Sequence, residues 1–211
     1  MKGHAIGAHV AMLHMGELEG RDASGNFTGS FRAYDVSAGA TYARRLARAF
    51  EIGATGKVLF SKVEMENATG VAADFGIRYR TPIRGLTAAA SLTNLGSDMS
   101  YVEDAFILPI SGRLGVAYRT RALLDGIILA ADLRFPNDSD GKAHLGAEIW
   151  PHEMFALRGG LKTGYDEESG SVGFGINYQN LQLDYAFVPF SDESELGDTH
   201  RISLGWFPDR I

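Results

Sequence analysis

From Val71 to Arg80 the chain alternates strictly. Val71, Ala73, Phe75, Ile77 and Tyr79 fall on one face, and Ala72, Asp74, Gly76, Arg78 and Arg80 fall on the other. A period of two marks a strand that is apolar on one side only. The pattern recurs along the chain. Leu86, Ala88, Ala90 and Leu92 oppose Thr87, Ala89, Ser91 and Thr93; Leu114, Val116 and Tyr118 oppose Arg113, Gly115, Ala117 and Arg119. The same holds for Ile127 to Arg134, His144 to Ile149, Ser171 to Tyr178, Leu181 to Phe187 and Arg201 to Trp206. With weaker segments near 5–18, 31–43, 50–63 and 155–165, the pattern predicts about twelve strands of roughly ten residues each. Tyr42 to Ala49 has helix-forming residues but sits where a strand connection is due, and it reads as a turn.

The expected connections alternate in length. Long ones fall near 19–29, 64–69, 96–110, 136–142, 166–170 and 189–199, and short ones near 45–49, 81–85, 120–124, 151–154 and 178–180. An up-and-down membrane barrel, with long loops at one end and short turns at the other, produces this order. Tyr42, Tyr79, Tyr118, Tyr178 and Trp206 lie on the apolar phase near the short-turn ends, where a girdle of amphipathic rings is expected. Tyr34, Phe60, Phe135 and Tyr185 are candidates for the opposite girdle. The other phase carries Asp74, Arg78, Arg113, Asp132, Arg134, Glu148, Arg158, Lys162, Asp184 and Arg201 among many glycines. A face this charged is not a dry core, so these residues are expected to face a wet lumen. The competing arrangement is a soluble barrel or sandwich, which would bury Val116, Leu129, Phe174 and Leu204 in a dry core.

Composition narrows the choice. The chain has 211 residues, a formal net charge of −6 and no cysteine. An acidic balance argues against nucleic acid as a partner. The missing cysteines exclude a disulfide framework, a Cys-ligated zinc site and a Cys nucleophile. The 26 glycines show no Gly-X-Y period, which removes collagen. No apolar run reaches the roughly 18 residues of a membrane helix. Histidines and glycines interrupt the first ten residues, so no secretory signal is read there. The expectation is a start inside a longer precursor.

Read together, several segments resemble one family. Gly85 to Gly96 (GLTAAASLTNLG) is followed by Phe106 to Ile110 (FILPI) and Arg113 to Arg119 (RLGVAYR). Then come His144 to Trp150, Leu157 to Tyr165, Leu183 to Phe190 and Leu196 to Gly205. This order is similar to the PorV/PorQ family of bacterial outer-membrane barrels, which resemble FadL-type transporters in fold. The resemblance implies a fourteen-stranded barrel of which residues 1–211 form the C-terminal portion, a single domain with about twelve strands. The export signal, the first strands and an Asn-Pro-Ala-containing segment of the family have no counterpart here. The tail also departs, since Phe207 is followed by Pro208 to Ile211. By resemblance the protein is non-enzymatic, needs no cofactor, lies in outer-membrane lipid and meets secreted proteins or subunits of a type IX-like secretion system. The alternative is a FadL-like conduit for hydrophobic small molecules.

Other chemistry reads weakly. His4, His9 and His14 recur at a spacing that puts neighbours on opposite strand faces, which disfavours a shared metal. Asp198-Thr199-His200 invites a triad without an assigned nucleophile and fits a loop entering the last strand. Acidic loops at Asp166, Glu167 and Glu168, and at Asp192, Glu193, Glu195 and Asp198, lack EF-hand spacing. Gly170 to Gly175 lacks the lysine and helix of a phosphate loop and reads as strand glycines. The 96–110 loop mixes apolar and acidic residues, so it is expected to fold inward or to contact a partner.

Overall fold

The computed structural model describes residues 3–101, 104–121, 126–165, 169–190 and 197–207. Its strands are β1 (His4–Arg21), β2 (Phe27–Arg45), β3 (Phe50–Val63), β4 (Glu66–Arg80), β5 (Leu86–Gly96), β6 (Met99–Tyr101), β7 (Asp104–Phe106) and β8 (Ser111–Thr120). The rest are β9 (Gly126–Pro136), β10 (Lys142–His152), β11 (Phe155–Thr163), β12 (Gly170–Tyr178), β13 (Leu181–Val188) and β14 (Thr199–Trp206). Twelve of them form one sheet in the order β1-β2-β3-β4-β5-β8-β9-β10-β11-β12-β13-β14, while β6 and β7 pair with each other. Sheet neighbours follow one another along the chain and run antiparallel. The fold is all-β and up-and-down, as the alternation predicts, and no helix occurs among the described residues. By contact the chain forms two compact units, Met1–Arg78 with Ser91–Gly112, and Tyr79–Ala90 with Arg113–Ile211.

In the first unit the strands are long: β1 to β4 have 18, 19, 14 and 15 residues. Crossing a bilayer takes only about 9–11. The expected long connection at 19–29 shrinks to residues 22–26, and that at 64–69 to Glu64 and Met65. The strict long–short parity therefore fails at β3–β4: ladder replaces loop. Glu64, in the tight turn, adopts φ 56, and its N–H donates to Arg32 O of β2 at 3.1 Å, which carries the β2–β3 ladder to the turn. Sequence alternation stopped β4 at Val71 because Asn67 and Thr69 are polar at positions where the apolar phase was expected. On the opposite side Ala68 and Ala72 are buried. A bulge interrupts β1, where Met15 and Gly16 together oppose Ala33 of β2. Gly16 sits at φ 73, as bulges of this kind require.

In the second unit, registers from β9 to β14 are continuous, apart from a shift between Ile149 and His152. The apolar phase is exposed: Val116 is 50%, Leu129 51%, Phe174 43% and Leu204 75% exposed. The dry-core arrangement is thereby overturned, because its four diagnostic residues are the ones turned outward. Tyr178, Leu181 and Trp206 stand in one cross-strand row. Tyr42, Tyr118, Tyr178 and Trp206 are exposed near strand ends and Tyr79 is half-buried.

Candidate functional site

The polar face of the second unit can be laid out row by row from the strand registers. One row runs Ile128, Glu148, Arg158, Gly173, Ala186, Arg201. Within it Arg158 Nε donates to Glu148 Oε2 at 2.6 Å, and its Nη1 reaches Asp184 Oδ1 of the neighbouring row at 2.5 Å. Trp150 Nε1 donates to Glu148 Oε1 at 2.6 Å, and Gln182 Nε2 to Asp184 Oδ2 at 2.7 Å. The guanidinium lies across bare backbone, since a Cβ at Gly175 would stand 2.8 Å from Arg158 Nη1. Glycine inside β12 is what lets an arginine bridge β10 to β13.

The adjoining row is Ala130, Gly146, Gly160, Ser171, small side chains on four successive strands. Together the two rows line a cavity of about 480 Å³, within the range of small-molecule sites. Glu148, Arg158, Asp184 and Arg201 are among the residues that line it. Beyond it comes the row Asp132, His144, Lys162. Asp132 is 3.4 Å from Arg113 Nε and 2.9 Å from His144 Nδ1, and His144 Nε2 is 2.8 Å from the Tyr165 hydroxyl. Lys142 stacks its ammonium 4.3 Å from the Tyr165 ring centre.

The first unit has its own polar cluster. Lys57 Nζ donates to both carboxylate oxygens of Asp74, at 2.7 and 2.9 Å, and to Asn94 Oδ1 at 2.6 Å. Asn94 has φ 63, and its N–H donates to Asp74 Oδ1 at 2.8 Å. Glu51 pairs with Arg45 at 3.0 Å and with Arg78.

The structure thus joins Glu148, Arg158 and Asp184, and joins Arg113 to Asp132. Asp74 and Arg78 find partners, Lys57 and Glu51, that were not singled out in the sequence. Arg134 lies opposite Lys142 and Lys162 opposite His144 in the ladder. The signal for Lys57 was present in β3, where Glu51, Thr55, Lys57 and Ser61 share one parity, but glycine and alanine dilute the other phase.

The remaining candidates do not assemble. His4 meets the Tyr42 hydroxyl at 2.7 Å, His14 accepts from Gly16 N at 3.0 Å, and His9 lies over Gly39. Asp198 accepts from Phe190 N at 3.1 Å while His200 meets the Tyr185 hydroxyl at 2.8 Å, so the two face different partners. Gly170 to Gly175 lies in β12. Asp166, Glu167, Glu168, Asp192, Glu193, Glu195 and the tail 208–211 lie outside the described residues.

No family model matches the chain, and no curated protein matches it. Among solved structures it is similar to the Pseudomonas putida toluene transporter TodX, with a TM-score of 0.67 and 12% identity over 97% of this chain and 78% of that one. At this identity the similarity establishes the fold alone, an antiparallel up-and-down β-barrel.

Proposed function

We propose that the chain is a non-enzymatic transporter of small hydrophobic molecules in the bacterial outer membrane. The observation that carries the reading is the fold shared along 97% of the chain with a toluene transporter. The site chemistry agrees with it. The exposed phase of the strands suits lipid on the outside. On the polar face Glu148, Arg158 and Asp184 pair with one another beside the cavity, so an apolar solute there would not compete with these ions for solvation. The small-residue row Ala130, Gly146, Gly160, Ser171 leaves space beside the ion group for such a solute.

Uptake of radiolabelled toluene by a Gram-negative host expressing the full reading frame tests the proposal. Uptake is expected to rise over the empty-vector strain. Ala130→Phe, which fills the cavity, should reduce it several-fold with heat-modifiable mobility retained. Uptake equal to the empty vector, with the protein folded in the outer membrane, would refute the reading.

Protein export of PorV/PorQ type was the leading expectation from sequence, and transport the alternative. Export draws support from the sequence resemblance at Gly85 to Gly96, Arg113 to Arg119 and Leu183 to Phe190; the fold comparison favours transport. Export would appear as co-purification with secretion-system subunits, and as loss of secreted protein on gene disruption without any change in toluene uptake.

A further inference from the structure

We infer that the strip Leu59, Ala68, Gly70 and Ala72 on the polar face of the first unit is a binding subsite for an uncharged apolar small molecule. In this structure it is filled by the protein's own Met99, and such a molecule binds by displacing the β6–β7 hairpin. The inference rests on the transport reading for its ligand class.

The strip is out of character with its surroundings. Residues of the same strand parity include Lys57, Ser61, Asp74 and Arg78, all polar. Yet Ala68, Ala72, Met99 and Leu108 form a buried apolar cluster, with Leu59 and Tyr101 packed against it. Gly70 supplies the notch: a Cβ there would stand 2.6 Å from Met99 Cγ and 3.1 Å from its Sδ. Met99 is 4% exposed. An unbranched thioether adapts to irregular apolar space, and a notch that accepts one accepts other apolar shapes of similar girth.

The occupant hairpin lies outside the ladder of the large sheet, which it meets through side chains and through hydrogen bonds at its base. β6 and β7 have three residues each, and an isolated two-stranded hairpin is marginal in water. Met99 and Leu108 pack on the sheet near the base of the hairpin, and further out the Tyr101 hydroxyl meets Ser61 Oγ beside Asp35. The base is fixed by Asn94 Nδ2 donating to Pro109 O at 2.8 Å and Thr93 Oγ1 donating to Ser111 O at 3.2 Å. Asn94 is itself locked by Lys57 and Asp74. Displacement would therefore free residues 99–108 and leave 109–111 in place. A site that competes with its own side chain shows an apparent affinity reduced by the fraction of molecules in which it is empty.

The test measures equilibrium binding of radiolabelled toluene to the full chain in lipid nanodiscs, with empty discs subtracted and heat-modifiable mobility as the folding control. Met99→Ala should tighten binding by about fivefold or more, by removing the competitor. Met99→Leu should return it to the wild-type value. Met99→Ala combined with Gly70→Val should lose the gain, because the notch is filled. Affinity unchanged in Met99→Ala, or a gain that survives Gly70→Val, would overturn the inference. The chain has no cysteine, so Gly70→Cys with Met99→Cys gives a clean lock. Binding should vanish on oxidation and return with reductant, and binding indifferent to the lock would also overturn it. If the binding pattern holds but wild-type protein moves no toluene, the transport reading fails and the subsite stands. If uptake is present and the pattern absent, the subsite fails alone.

Discussion

At the residue scale the polar face is governed by one arginine held between two acids. Arg158, Glu148 and Asp184 are 28%, 21% and 27% exposed, so neither full solvent screening nor full desolvation applies. Glu148→Gln leaves Arg158 with Asp184 and should cost about 1–2 kcal/mol. Arg158→Met should cost more, about 3 kcal/mol or above, because it leaves two carboxylates partly buried and uncompensated. Urea unfolding in lipid vesicles reads both values, and equal costs would mean that the three groups do not act as a unit. Asp22, in the β1–β2 turn, offers a pH test outside the strands. Its carboxylate accepts from Asn26 Nδ2 at 3.0 Å and from Asn26 N and Ser24 N at 2.9 Å. The Asn26 side-chain bond, followed by these backbone bonds, lowers its pKa below the ordinary 3.8. A lowered folded value means that the turn gains stability above the unfolded value and loses it as pH falls through the folded one. Amide protection at Ser24 and Asn26, relative to the intrinsic exchange rate at each pH, should therefore fall on acidification below 3.8, and Asp22→Ala should abolish that dependence.

At the element scale, β9 gives the sharpest contrast between neighbours. Leu129 is exposed on the apolar face, whereas Ala130 lines the cavity. Leu129→Arg should cost about 2–4 kcal/mol if β9 crosses lipid there. Ala130→Arg should cost much less, since the side chain enters a cavity of about 480 Å³ beside Glu148. Equal costs in vesicle unfolding would refute the assignment of faces. β9 was legible in the sequence because Ile127, Leu129, Ala131 and Leu133 alternate with Asp132 and Arg134 at high contrast. The upper half of β4 was not, because Ala68 and Gly70 are small for contact with Met99, a long-range partner that no local pattern announces. Asn94 was hidden for a related reason. Its left-handed backbone breaks the period of two, and its partners Lys57, Asp74 and Pro109 are distant in the chain. Register, too, was invisible: alternation told which residues share a face but not that Ala130, Gly146, Gly160 and Ser171 stand in one row.

At the scale of the whole molecule, charge compensation bears on what the proposed transporter would let pass. In the first unit Lys57 is met by Asp74, and Glu51 by Arg45 and Arg78. In the second, Arg158 is met by Glu148 and Asp184, and Asp132 by Arg113. An open aqueous pore would keep its wall charges solvated and available to ions. Here the charges just named are spent on one another, and the β6–β7 hairpin covers apolar surface of the first unit. The protein reconstituted in planar bilayers should therefore carry little steady ionic current. Replacing residues 98–107 with a Gly-Ser linker keeps the Asn94–Pro109 and Thr93–Ser111 anchors and should raise the current by removing the hairpin alone. A large, steady current through the wild-type protein would mean that the paired charges leave a wet path. The route for hydrophobic solutes would then be shared with ions rather than separated from them.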